Sequence, residues 1–286
     1  DKCIGRKQKK QYIILMTIPF IKMHGLGNDF VIIDHRLSNN VLNSSEITRL
    51  GNRRRGIGFD QLLTIFPARG DGDVFLKINN PDGSEAEACG NGTRCVADLI
   101  MREGNLPKIT IETVAGNLYC HRISDKNVSV NMGIVKTNWD DIPLIKSTDT
   151  LRVQLEDAPF TECCCVNIGN PHAVFFCDDA DAVDLPTIGP ILEKNKMFPK
   201  GANIEFATVK SNNRIRMRVW ERGAGITEAC GSGACAVLVA SARNGLTERT
   251  AEVILDGGSL GIEWVDDGSI LMTGATTVSF RGEISL

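Results

Sequence analysis

The sequence has little net charge and no long apolar run. Its 286 residues carry 32 Lys and Arg against 35 Asp and Glu, a formal charge of −3, which gives no reason to expect nucleic acid as a partner. No stretch approaches the roughly 18 apolar residues of a membrane helix. Ile13 to Met16 is also too short for the apolar core of a secretory signal. The run Gly56-Ile57-Gly58-Phe59-Asp60-Gln61 lacks the Lys-Ser/Thr of a nucleoside-triphosphate loop. No cofactor motif is seen elsewhere. What is present is an ordinary apolar fraction, 42%, at a length that suits one large or two medium domains.

Ten cysteines are many, but they are scattered and follow no small secreted scaffold. A reducing, cytoplasmic setting is the expectation. Cys163-Cys164-Cys165 reads as small residues filling a strand, with alternate side chains on opposite faces. Residues 1–16 differ from the rest: Lys2, Arg6, Lys7, Lys9 and Lys10 form a basic tail ahead of Met16. An upstream extension outside the fold is the reading; a transit peptide would carry more serine.

Two stretches organise the remainder. Glu87-Ala88-Cys89-Gly90-Asn91-Gly92 and Glu228-Ala229-Cys230-Gly231-Ser232-Gly233 share Glu-Ala-Cys-Gly-x-Gly at a separation of 141 residues. Each opens an apolar helical run, the first closed by Gly104 and the second by Gly245. Six positions in register indicate a duplicated half. The echo extends to Gly27-Asn28-Asp29 and Gly169-Asn170-Pro171, each followed by an apolar strand. It also places Asn80 nine residues before Cys89, and Glu221 nine before Cys230. Alternating runs predict many strands in each half, with one principal apolar helix that a curved sheet must wrap. The class is therefore α+β: two pseudo-symmetric domains, each a curved, mostly antiparallel sheet around a central helix. The domains are expected at 17–133 plus 277–286 and at 134–276. A ligand cleft between them would be lined by both helix starts.

Smaller features carry plain readings. Asn43 to Leu50 has helix-cap character, with Ser44 or Ser45 as cap. Arg53-Arg54-Arg55 suits the negative end of that helix better than a phosphate. Asn28 serves either as a turn residue or as an amide for a ligand. His172, after Asn170-Pro171, reads as a turn residue on spacing alone.

A cysteine at a Gly-rich helix start sits beside unpaired N–H groups, an anion site, and the positive end of the dipole is expected to lower its pKa toward thiolate. Three chemistries compete. Zinc would need Cys89-x5-Cys95 and Cys230-x4-Cys235, wider than most structural pairs. Cys95 and Cys235, just inside apolar helices, read instead as buried small hydrophobes. Acid–base work by Cys89 and Cys230 remains: one sulfur takes a proton from one face of a carbon, and the other delivers one to the opposite face.

The residues resemble the diaminopimelate epimerase family over nearly the whole chain from about Ile18. The resemblance rests on His24-Gly25-Leu26-Gly27-Asn28-Asp29-Phe30, Asp60-Gln61, Asn80-x-Asp82-Gly83, Ala88 to Cys95, Gly169-Asn170-Pro171-His172, Glu221-Arg222-Gly223 and Ala229 to Cys235. It implies epimerisation of LL- to meso-diaminopimelate in lysine and peptidoglycan precursor synthesis, without pyridoxal phosphate, metal or other cofactor. By resemblance Cys89 and Cys230 are the catalytic pair, and His172 and Glu221 tune the thiols and orient the reacting amine. Gly90, Asn91, Gly231 and Ser232 hold the reacting carboxylate. Asn28, Gln61, Asn80, Asn170, Asn203, Glu221 and Arg222 supply the other substrate contacts, with Asn80, Asn203 and Arg222 on the far end. A small amino acid is the implied partner, with a homodimer as the assembly. The rival enzyme is a proline or hydroxyproline racemase-like protein, which would not need a second carboxylate grip. The rival of another class is a non-catalytic amino-acid- or zinc-binding protein.

Overall fold

The computed structural model describes residues 17–38, 41–86 and 89–285. The basic tail, Glu87 and Ala88 lie outside the described residues. The first half runs β1 (Thr17–Gly25), β2 (Asn28–Asp34), α1 (Ser44–Gly51), β3 (Gln61–Pro67), β4 (Val74–Asn79), β5 (Glu85–Ala86), α2 (Gly90–Glu103), β6 (Lys108–Thr113), β7 (Gly116–Arg122) and β8 (Asn127–Ile134). The second, after the short β9 (Val153–Gln154), runs β10 (Glu162–Asn167), β11 (Pro171–Phe176), α3 (Leu185–Glu193), β12 (Asn203–Ser211), β13 (Arg214–Glu221), β14 (Gly225–Ile226), α4 (Gly231–Arg243), β15 (Thr250–Leu255), β16 (Gly258–Trp264) and β17 (Ser269–Ala275). β18 (Thr277–Ser285) follows.

The pairing repeats element by element. β1 and β2 are antiparallel, β2 and β3 parallel, β3 and β4 antiparallel, β4 and β6 parallel. β10 and β11, β11 and β12, β12 and β13, and β13 and β15 follow the same sequence of directions. The class is α+β with two repeated domains. Two strand pairings join the halves among the described residues: β8 pairs antiparallel with β17, and β18 returns to pair with β1.

The sheets bury both faces. In β2, Phe30 and Ile32 face α2 with Leu63, Ile65 and Val96, while Val31 and Ile33 face α1 with Ile47 and Leu50. This is the period of two expected of a strand, applied to two cores at once. In the second half the cysteine triplet divides the same way. Cys164 packs with Val237 of α4, whereas Cys163 and Cys165 pack with Phe175 and Leu192. α4 is buried from Gly233 to Ser241, as an all-round apolar helix must be. Each fully buried Val or Leu along it is worth about 1.5–3 kcal/mol. No helix among the described residues is long and apolar enough to cross a membrane.

Local details differ from expectation in two places. The cap of α1 is Asn43, whose side chain accepts from Ser45 N and Glu46 N while Glu46 reaches back to Asn43 N. This reciprocal box satisfies three orphan donors of the first turn. Arg53 does not serve the helix end; it pairs with Asp29 at 2.7 Å and Asp60 at 2.6 Å. α3 begins at Leu185, with Pro186 in its first turn, where a proline fits a helix.

Candidate active site

Cys89 and Cys230 are the N-cap residues of α2 and α4. Each is extended, and each sulfur accepts from the backbone N–H three residues on: Gly92 at 3.3 Å and Gly233 at 3.4 Å. A sulfur here stands where Ser or Asp usually caps a helix. The glycine after each cysteine is required by a close approach. A Cβ on Gly90 would lie 2.6 Å from Met272 Cε, and one on Gly231 would lie 2.6 Å from Met272 Sδ. Met272 of β17 thus wedges against both helix starts.

The two starts also touch directly. Asn91 Nδ2 donates to Ala229 O at 3.0 Å and to Asn28 Oδ1 at 3.2 Å. Asn28 has left the turn to Leu26 and Gly27, which take φ of 56° and 86°. Its amide is therefore free to reach Asn91 and, through Nδ2, Asp60 at 2.8 Å. The Cys89 sulfur lies 4.0 Å from Asn28 Oδ1. Asn28 is not the turn residue; its amide faces Asn91 and Asp60.

Cys230 has a different surround. Ser232 Oγ is 3.6 Å from its sulfur. Glu221, at the end of β13, contacts its thiol and accepts from Thr227 Oγ1 at 2.5 Å. His172 lies on β11, fully buried, and is no turn residue: Nδ1 meets Glu205 Oε1 at 2.6 Å and Nε2 meets Asn170 Oδ1 at 2.8 Å. Glu205 was not picked out in the sequence. The parallel pairing of β11 with β12 sets His172 opposite Asn203, which brings Glu205 within reach. The available signal was a charged residue inside Asn203-Ile204-Glu205-Phe206-Ala207, a run buried throughout.

The electrostatics reverse one expectation. The helix starts do not bring the thiol pKa values below the ordinary range. Burial pushes Cys89 up to about 11, and the Glu221 carboxylate adds to that, against the Gly92 and Asn91 N–H groups and Arg94. Burial pushes Cys230 well above its ordinary range, helped by Glu221 and Glu205. Burial likewise raises Glu221 above the usual carboxylate range. Desolvation of a charge in a dry site outweighs the partial charge of one helix turn.

Two further pairs flank the centre. Gln61 Nε2 donates to Asn80 Oδ1 at 3.3 Å, and Asn80 Nδ2 donates to Ser84 Oγ at 3.1 Å. On the other half Asn203 Oδ1 accepts from Arg222 N at 2.9 Å, while Arg222 Nη1 donates to Lys200 O at 3.2 Å. Arg222 is otherwise exposed. Among the described residues neither pair is joined by side-chain hydrogen bonds to the cysteine cluster. A cavity of about 560 Å³ opens beside Asn28 and Thr227. Cys95 and Cys235 are buried in the two main cores, as small hydrophobes would be.

The family model described as diaminopimelate epimerase matches residues 20–137 and 164–279. A diaminopimelate epimerase of Rhodospirillum centenum is 52% identical over 94% of this chain and 93% of its own. One of Acidiphilium cryptum is 48% identical over 93% and 96%. The chain belongs to the diaminopimelate epimerase family. Solved structures share the fold of this family member at much lower identity. A Bacillus anthracis protein of the phenazine biosynthesis PhzF family matches at a TM-score of 0.64 and 15% identity, over 95% of this chain and 100% of its own. A hydroxyproline epimerase of Agrobacterium vitis matches at 0.64 and 13%, over 94% and 93%.

Proposed function

We propose that the protein is an isomerase that interconverts LL- and meso-diaminopimelate, with Cys89 and Cys230 as its acid–base pair and no cofactor. The observation that carries this reading is two cysteines capping two helix starts that meet through Asn91. In one direction a thiolate takes the α-proton, forming S–H as the Cα–H bond breaks. The electron pair moves toward the carboxylate, where the N–H groups of the helix starts face the growing charge. The opposite thiol then gives its proton to the other face of the carbon and is left as thiolate. In the reverse direction the two exchange roles. Glu221, raised by burial and touching the Cys230 thiol, is the group placed to accept a thiol proton before the first turnover.

The reacting carboxylate falls to Gly90, Asn91, Gly231 and Ser232. Asn28, Gln61 and Asn170 line the remaining surface, and Asn80, Asn203 and Arg222 take the far end. Arg222 is exposed and so has a guanidinium to offer a second carboxylate. His172, held between Glu205 and Asn170, positions the acid side of the site. The domain limits proposed with it are 17–133 plus 277–286 and 134–276, in keeping with the return of β18 to β1. A homodimer belongs to the same proposal, since Val278 and Phe280 of β18 are exposed apolar surface. So does a cytoplasmic setting, which suits the nine free thiols among the described residues.

The test is deuterium entry at the α-carbon of LL-diaminopimelate in heavy water, beside proline and hydroxyproline. Cys89→Ala and Cys230→Ala should each lower inversion by at least about 10³-fold. Undiminished inversion in either variant would remove the two-thiol mechanism. Exchange of proline in preference to diaminopimelate would favour the racemase reading.

A further inference from the structure

Arg94 is fully buried, one turn into α2, and has no acid partner among the described residues. Nε and Nη2 lack any hydrogen-bond acceptor, and Nη1 meets only the thioether of Met272 at 3.3 Å. A buried guanidinium is ordinarily paired, because an isolated charge in a dry interior is costly. The natural partner is Asp98, four residues on along the same helix. Both its oxygens are engaged elsewhere: Oδ1 with Arg102 Nε at 2.8 Å and Oδ2 with Thr276 Oγ1 at 2.9 Å.

Side chains on a helix lean toward its N-terminus, so Arg94 leans toward Cys89. The groups around it are named readily. Gly25 of β1 and Gly274 of β17 leave room for it: a Cβ there would lie 3.0 and 3.2 Å from its terminal nitrogen. Met272, its one side-chain hydrogen-bond partner among the described residues, is the residue wedged against both helix starts. The titratable groups that feel its charge are Cys89 and Cys95 of α2 and Cys235 of α4. Cys95 and Cys235 are in apolar cores, away from any substrate. Cys89 alone stands at the cleft, opposed by the carboxylate of Glu221.

We propose that Arg94 is the buried counter-charge of the site, a positioning residue that favours the Cys89 thiolate and the anionic substrate without touching either. The site otherwise holds Glu205 and Glu221, so a thiolate and a substrate carboxylate add negative charge where negative charge is already present. A guanidinium left without a carboxylate is neutralised when that charge arrives. The inference deepens the epimerase reading and rests on it for the identity of the anion. Burial lowers the pKa of Arg94, and arginine suits the task because its ordinary value is high enough to keep the proton nonetheless.

The experiment reads Cys89 itself. Alkylation by iodoacetamide, followed at Cys89 by peptide mass spectrometry from pH 7 to 11, reports the thiolate without any turnover. In Arg94→Gln the profile should move up by about one pH unit, and kcat for α-proton exchange should fall at least about tenfold with KM changing less. Arg94→Lys keeps the charge and should return the profile toward wild type. A folded Arg94→Gln with an unmoved Cys89 profile overturns the proposal. Should Arg94→Gln fail to fold, Arg94→Met and Arg94→Lys decide it: a Lys variant displaced as far as the neutral one, or by a full unit alone, overturns it. If the wild type exchanges no diaminopimelate proton yet the profile still moves, the counter-charge stands and the epimerase reading falls.

Discussion

The helix starts at Cys89 and Cys230 share five of six residues but are not the same place. Both sulfurs cap a helix and accept one N–H. Around Cys89 the neighbours are the neutral amides of Asn28 and Asn91 and the cation of Arg94. Around Cys230 they are Glu221, Glu205 and the Ser232 hydroxyl. Cys89 is half-buried and Cys230 is 4% exposed. The duplicated motif gives each thiol its position. The strands opposite give each its charge, and those have diverged: Asn80 stands where the second half has Glu221.

Removing the acid from one side is the strongest way to break this asymmetry. Glu221→Gln should lower turnover about 100-fold. It should also lower the pH at which Cys230 is alkylated by more than that at which Cys89 is, because a carboxylate that resists thiolate formation has gone. Equal shifts at both thiols would mean that Glu221 does not distinguish them. A milder probe leaves the protein intact. Thiolate alkylation should rise with pH at both sites, and Cys89 should react about tenfold faster than Cys230 at pH 8, because Cys230 is the less exposed and faces both Glu221 and Glu205. Comparable rates would erase the difference. The smallest effect concerns the paired positions Asn91 and Ser232. Asn91→Ala leaves the Ala229 carbonyl unpaired and should cost about 1–3 kcal/mol in urea unfolding. Ser232→Ala, which loses only a long contact to sulfur, should stay within about 0.5 kcal/mol. A Ser232→Ala cost as large as that of Asn91→Ala would show that both residues brace the helix starts.

Much of this was legible in the order of residues. The repeat exposed the two helix starts because glycine and cysteine recur there for backbone and chemical reasons that leave few substitutes. The strands showed as apolar runs, and Cys95, Cys235 and the cysteine triplet showed as core. Three things did not show. Glu205 meets His172 only through the register of two parallel strands, which no local pattern states. Arg94 reads as one more helix charge until its burial and the occupied oxygens of Asp98 are seen. The direction of the thiol pKa depends on desolvation, which follows from how the halves close. The cap at Asn43 was missed for a lesser reason: Asn, Ser and Ser stand in a row, and only the reach of Glu46 chooses among them.

The antiparallel seam between β1 and β18 has a consequence for how the molecule is made. Thr17 finds its partner in Ser285. As the chain leaves the ribosome, the first half waits one strand short, with the edge of β1 unpaired, while the second half is synthesised and can close on α4. The half that emerges first is therefore completed last, and its open edge is the part of a nascent chain most in need of shielding.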